Sequence, residues 1–159
     1  MKKENLKALL FFVIGTELIG GLSGLLSGGN FSAFYNSLIQ PPLAPPGWLF
    51  PVMWTILYAL MGISAYQIYI SKNDEKTNAL TLYGIQLAIN FLWSIVFFRF
   101  KSLSGAVFVI ILLLFLIILM MIKFKKIRKS AALINIPYLL WTAYASYLTI
   151  GIYLLNRNL

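Results

Sequence analysis

The chain has no cysteine and no histidine. The first absence removes disulfides, thiolate metal sites and cysteine nucleophiles. The second removes the commonest general base, metal ligand and haem axial ligand. Acids are scarce as well: four Asp and Glu stand against 13 Lys and Arg in 159 residues, for a formal net charge of +9. No nucleophile–base pair or metal-ligand cluster can be assembled, which argues against a conventional enzyme. What the chain has in abundance is apolar surface. Sixty per cent of its residues are hydrophobic, above the roughly 45–50% of a soluble domain. A soluble fold of this length needs more polar surface than that, and the length suits one domain. The basic residues lie between apolar runs, so the positive charge reads as loops facing anionic lipid and the cytoplasm, with no nucleic acid partner.

Five apolar runs stand out, at 6–26, 48–70, 79–98, 103–122 and 131–155. Each is about 20 residues or longer, enough for a helix to cross a roughly 30 Å hydrocarbon core. They are continuous rather than alternating, which excludes a barrel. The fold class is therefore all-α, a single-domain bundle of five transmembrane helices over 1–159. Lys2, Lys3 and the run from Leu6 to Ile19 resemble a signal peptide, but the run continues and no A-x-A site follows, so it reads as a retained first helix. Lys and Arg divide ten against three. Lys2, Lys3, Lys7, Lys72, Lys76, Lys123, Lys125, Lys126, Arg128 and Lys129 fall on one side, and Arg99, Lys101 and Arg157 on the other. The N-terminus is expected in the cytoplasm and the C-terminus outside.

The connection from Gly28 to Gly47 carries no charge. It holds Pro41, Pro42, Pro45 and Pro46 behind Phe31, Phe34 and Tyr35, and is expected to be a stiff, non-helical loop. Such a loop serves as a lid over a binding site or as an interfacial anchor with Trp48. Pro51 is tolerated in the first turn of the second helix. Pro137, early in the fifth, is expected to release the Leu133 carbonyl and kink the helix.

Helical spacing puts Trp54, Tyr58, Met61, Gly62 and Ala65 on one stripe. It does the same for Gln86, Asn90, Trp93 and Phe97, and for Trp141, Tyr144, Ala145 and Leu148. Flat aromatics with a few amides suit a planar, mostly apolar ligand; the alternatives are core packing and amide bonds between helices. Glu17 is the one acid inside a span, a functional candidate or a protonated carboxyl bonded to a neighbouring helix. Asp74 and Glu75 belong to a short polar turn. Small residues at Gly20, Gly24 and Gly28, and at Gly84 and Ala88, mark faces for close helix contact, within the chain or in a homodimer, with Gly84 and Ala88 favoured for the dimer. Leu148, Tyr153 and Arg157 fit a loose pattern proposed for sterol contact, which a plain membrane exit also satisfies.

The ordered pieces resemble the TspO / translocator protein (peripheral-type benzodiazepine receptor) family. The likeness runs through Phe34-Tyr35-Asn36-Ser37-Leu38-Ile39-Gln40-Pro41, Pro45-Pro46-Gly47-Trp48 and Val52-Met53-Trp54-Thr55-Ile56-Leu57-Tyr58. It continues through Gln86-Leu87-Ala88-Ile89-Asn90-Phe91-Leu92-Trp93, Pro137-Tyr138-Leu139-Leu140-Trp141 and Ala145, to Asn156-Arg157-Asn158. Departures are Phe34 for a usual Trp, Gln40 for a basic residue and Thr149 for a common Asn; Glu17 matches no family feature. The resemblance implies a bacterial plasma-membrane protein with no tightly bound cofactor. It implies binding of porphyrins such as protoporphyrin IX, and of benzodiazepine-receptor-type ligands, inside the bundle beneath the first loop. The residues carried over for the pocket are Tyr35, Trp54, Asn90, Trp93, Trp141 and Ala145; Tyr58, Gln86 and Tyr144 join them from the stripes above. The resemblance also implies light- and oxygen-dependent breakdown of protoporphyrin IX, with Trp54 and Trp141 in the photochemical role. Porphyrin or sterol transport and tetrapyrrole sensing through a partner are the alternatives; no inverted repeat supports transport.

Overall fold

The computed structural model describes residues 3–28 and 31–157, without the side chains of Lys3, Phe31 and Ser32. The expectations placed on Lys2 and Asn158 and on the Lys3 and Phe31 side chains lie outside what is described. Among those described, the elements are all helical: α1 (Lys3–Leu26), α2 (Phe31–Ser37), α3 (Leu49–Tyr69), α4 (Lys76–Ser94), a π-helical turn (Ile95–Arg99), α5 (Leu103–Ile127), α6 (Lys129–Ile134) and α7 (Ile136–Asn156). Five stretches are long and apolar enough to cross a membrane: Glu4–Leu26, Leu49–Tyr69, Lys76–Arg99, Leu103–Ile127 and Lys129–Asn156. The chain is a multi-pass membrane bundle.

Several boundaries differ from those expected. α5 runs five residues past 122, carrying Lys125 and Lys126 into its last turn. Lysines are favourable there, since they complement the C-terminal carbonyls and can extend their heads to the interface. The expected kink at Pro137 is a break: the fifth span divides at Asn135, and Pro137 stands in the first turn of α7. Asn135 explains why the break is stable. Its Nδ2 donates to Ser64 Oγ at 2.5 Å and to the Ala131 carbonyl at 2.9 Å, and Ser64 Oγ donates to the same carbonyl at 2.7 Å. The irregular backbone is thus satisfied by a polar knot against α3, as a bilayer demands.

The first connection, expected to be non-helical, contains a short helix. Residues 31–37 wind into α2, and residues 38–48 are irregular. The four prolines all follow Gln40, so nothing in Phe31–Ser37 forbids a helix. Beyond α4, the backbone widens into the π turn, closed by the Phe100 N–H on the Ile95 carbonyl at 3.0 Å. The chain then reverses through Lys101 at φ +52°, and Ser102 Oγ caps α5 by accepting from the Gly105 N–H at 3.3 Å.

Helix association in lipid rests on close packing and interhelical hydrogen bonds rather than on apolar transfer. The backbones of α1 and α3 approach closely at Gly62, where a Cβ would stand 2.7 Å from the Val13 Cα. This approach does not follow the Gly20–Gly24–Gly28 face. Gly20 receives the Tyr58 ring, whereas Gly24 and Gly28 meet open space. α1 presents Phe11, Leu18 and Leu25 outward and is held by polar ties: Thr16 Oγ1 bonds to the Tyr83 hydroxyl, and Ser23 Oγ donates to the Phe91 carbonyl at 3.1 Å. The deep core runs along α3 and α5, through Leu57, Met61, Ile110, Leu113, Ile117 and Met120.

Candidate functional site

A cavity of about 260 Å³ lies between α1, α3 and the end of α4. Each wall has a sequence origin. α1 contributes Gly20, Gly21 and Gly24, which remove side chains from its face and let a ligand approach the backbone. α3 contributes Trp54 and Tyr58, one turn apart, with rings stacked 5.5 Å between centroids. The end of α4 and the π turn contribute Trp93 and Phe98. The extra residue of the π turn rotates the aromatics that follow Trp93, and Trp93 then stacks on Phe97 at 5.4 Å while Phe97 meets Phe98 edge-on at 4.8 Å. Glu17 completes the wall from α1.

Beneath the loop a second, much smaller space of about 10 Å³ is bounded by Tyr35, Ala145, Leu148 and Thr149. Phe50, Trp93 and Phe98 line both spaces and so form an aromatic partition between them. Tyr35 is pushed up to about 12 by burial and by the neighbouring Tyr144 phenol. It stays a neutral donor, reaching the Pro45 carbonyl at 3.3 Å.

The expected site residues therefore divide into three groups. Trp54, Tyr58 and Trp93 line the larger cavity, and Tyr35, Trp93 and Ala145 the smaller. Asn90 and Gln86 line neither. They are spent on an interhelical chain in which Tyr58 donates to Asn90 Oδ1 at 2.7 Å, Asn90 Nδ2 donates to the Tyr138 hydroxyl at 3.0 Å, and Tyr138 donates to Gln86 Oε1 at 2.8 Å. This chain sews α3, α4 and α7 together at mid-depth and fixes the Tyr58 ring in the wall. Trp141 and Tyr144 also stand back from both spaces. Trp141 packs its ring 6.0 Å from Phe50, and its buried Nε1–H has no partner among the described residues; the same is true of Trp93 Nε1. Tyr144 works on the loop, donating to the Leu43 carbonyl at 2.6 Å.

Two groups of residues escaped the sequence reading. Phe50 and Phe98 were hidden because one sits at a helix start beside Pro51 and the other in a π turn that 3.6-residue spacing cannot place. The loop clamp was hidden because it is long-range. Asn156 accepts from the Ile39 N–H at 2.9 Å and donates to the Ile39 carbonyl at 3.0 Å, and Tyr147 donates to the Pro42 carbonyl at 2.8 Å. With Tyr144, the C-terminal part of α7 thus holds the proline segment by its backbone. Trp48 is exposed at the far end of that segment.

Comparison with known proteins agrees with this architecture. The model of the TspO/MBR family matches residues 11–155. A tryptophan-rich protein TspO of Chlorobaculum tepidum is 40% identical over 159 residues, covering 98% of this chain and 99% of that protein. Protein CrtK of Rhodobacter capsulatus is 30% identical over 154 residues, covering 96% and 94%. A translocator protein of Bos taurus is 30% identical over 142 residues, covering 85% and 84%. The chain belongs to the TspO/MBR family.

Proposed function

We propose, from that membership and from the cavity, that the protein is a receptor-like binder of porphyrins, protoporphyrin IX foremost, and promotes their light- and oxygen-dependent breakdown. The observation that carries this reading is the cavity wall of Trp54, Tyr58, Trp93 and Phe98 facing a glycine-lined helix. Flat aromatics opposite a face without side chains suit a flat, apolar macrocycle. The buried Trp93 Nε1–H, without a partner among the described residues, offers a donor to polar atoms of such a ligand or to water. The absence of histidine fits a metal-free tetrapyrrole. In this reading Trp54 is the oxidisable neighbour of the excited pigment, with dioxygen the terminal oxidant, and Trp141 acts from behind Phe50. The protein sits in a bacterial plasma membrane with its N-terminus in the cytoplasm, as a homodimer.

Illumination of the purified protein with protoporphyrin IX tests it. Pigment absorbance is expected to fall faster than in a protein-free control, and only with oxygen present. Equal rates with and without protein, at concentrations where dark titration shows binding, would remove the photochemical half and leave a binder.

A further inference from the structure

Glu17 is the acid of the cavity wall, and the proposed function does not use it. It stands on the α1 wall just before Gly20 and Gly21, facing the same space as Trp54 and Tyr58. It is nine residues from the end of α1 at Leu26, roughly 13 Å along the helix. Lys and Arg are absent from 8–71, from 77–98, from 102–122 and from 130–156, so no span brings a cation to this depth. Among the described residues no charged side chain pairs with it, and the α3 backbone at Ala59 is its neighbour. The nearby Tyr58 hydroxyl is already given to Asn90. A carboxyl kept at membrane depth without a charged partner is costly, and here it borders the cavity. A ligand donor can therefore reach it.

We propose that Glu17 is a specificity determinant that makes the cavity prefer ligands presenting a nitrogen-bound hydrogen, a protonated amine above all, and rejects ligands that present a carboxylate there. The physical basis is a charge-assisted hydrogen bond formed where water is scarce. The same charge repels acidic substituents. For a porphyrin, the deep end of the cavity then receives the ring edge without propionates, and the propionates point toward the loop. This orientation rests on the proposed function; the amine preference does not.

The test uses two fluorescent probes of equal shape, anthracene carrying an aminomethyl group or an ethyl group on its central ring. Each is titrated into wild type and Glu17→Gln in nanodiscs of zwitterionic lipid, with empty discs subtracted. Wild type is expected to bind the amine about tenfold more tightly than the ethyl probe. Glu17→Gln is expected to bring the two within about twofold. Glu17→Ala, which removes the oxygen altogether, gives the same equality and covers a Gln variant that folds poorly. A wild type without amine preference, or a preference that survives both substitutions, overturns the proposal. A dark titration with protoporphyrin IX on the same discs separates the two readings. If the porphyrin fails to bind while the amine preference holds, the proposed function falls alone. If the porphyrin binds and no amine preference exists, this inference falls alone.

Discussion

Single residues divide here between those that touch the cavity and those that hold its walls, and substitutions at Trp54, Trp141 and Asn90 are expected to show the division. Trp54 faces the space and Trp141 lies behind Phe50. Trp→Phe keeps most of the stacking surface and removes the oxidisable indole, so Trp54→Phe should cost about 1 kcal/mol of porphyrin affinity while light-driven breakdown falls much further. Trp141→Phe should leave dark affinity nearly unchanged, and any loss of breakdown then belongs to the photochemistry. Equal loss of binding and breakdown at both positions would make the two indoles plain walls. Asn90→Ala behaves differently. The amide bridges Tyr58 and Tyr138 in the interior, so its loss leaves two buried hydroxyls short of a partner, at about 1–3 kcal/mol. A lowered melting temperature is expected first, with affinity following only as the Tyr58 ring loosens. A variant of unchanged stability and sharply weaker binding would show that Asn90 reads the ligand directly. The sequence marked these residues by type and spacing, because amides at membrane depth are costly and conspicuous. It could not say whether an amide faces a ligand or a neighbouring tyrosine, since both roles satisfy the same hydrogen-bonding demand.

Elements show the same contrast between what spacing reveals and what long-range contact decides. Five spans were legible because hydrocarbon thickness sets their length. α2, the break at Asn135 and the π turn were not, because each depends on a partner distant in sequence or on backbone hydrogen bonds that a 3.6-residue pattern does not encode. The loop clamp is a case in point. Asn156 exchanges two hydrogen bonds with the Ile39 backbone, and Tyr144 and Tyr147 grip Leu43 and Pro42. Asn156→Ala should free this segment while the bundle stays folded, seen as faster proteolysis within 38–48 and a higher ligand off-rate. Helical signal and off-rate both unchanged would show that the proline segment holds itself. Packing between α1 and α3 gives a second element-level expectation. A side chain at Gly62 meets the α1 backbone at 2.7 Å, with no flexible group to yield. Gly62→Ala should therefore destabilise by about 1–3 kcal/mol, and by moving α1 it should also reshape the cavity. Gly84→Ala, on open surface, should be neutral in the monomer. Equal effects at the two glycines would contradict the close approach.

For the whole molecule the decisive quantity is the asymmetry of charge between its two ends. Arg99 donates to the Leu26 carbonyl, and Asn156 is bonded to Ile39, so the C-terminal ends of α1, the π turn and α7 gather under the proline segment. At the opposite end Ser130 donates to Gln67 at 2.6 Å, bringing the basic stretch after α5 beside the end of α3. Among the described residues that end collects Lys72, Lys76, Lys123, Lys125, Lys126, Arg128 and Lys129 together with Lys7, whereas the loop end has Arg99, Lys101 and Arg157. Basic residues next to spans are retained in the cytoplasm, and they also meet the negative surface potential of that leaflet. The proline loop should accordingly face outward. The chain's lack of cysteine makes this directly testable, because a single introduced thiol is the only one present. Leu43, 85% exposed at the loop tip, and Lys126, exposed in the last turn of α5, are suitable positions. In intact cells a membrane-impermeant maleimide should label Leu43→Cys and spare Lys126→Cys, and permeabilisation should make the two equal. Labelling of Lys126→Cys alone in intact cells would invert the molecule and place the loop, and with it the covered end of the bundle, in the cytoplasm. Labelling of both positions before permeabilisation, in cells shown to be sealed, would mean that the chain inserts in two orientations and that eight basic residues against three do not suffice to fix one.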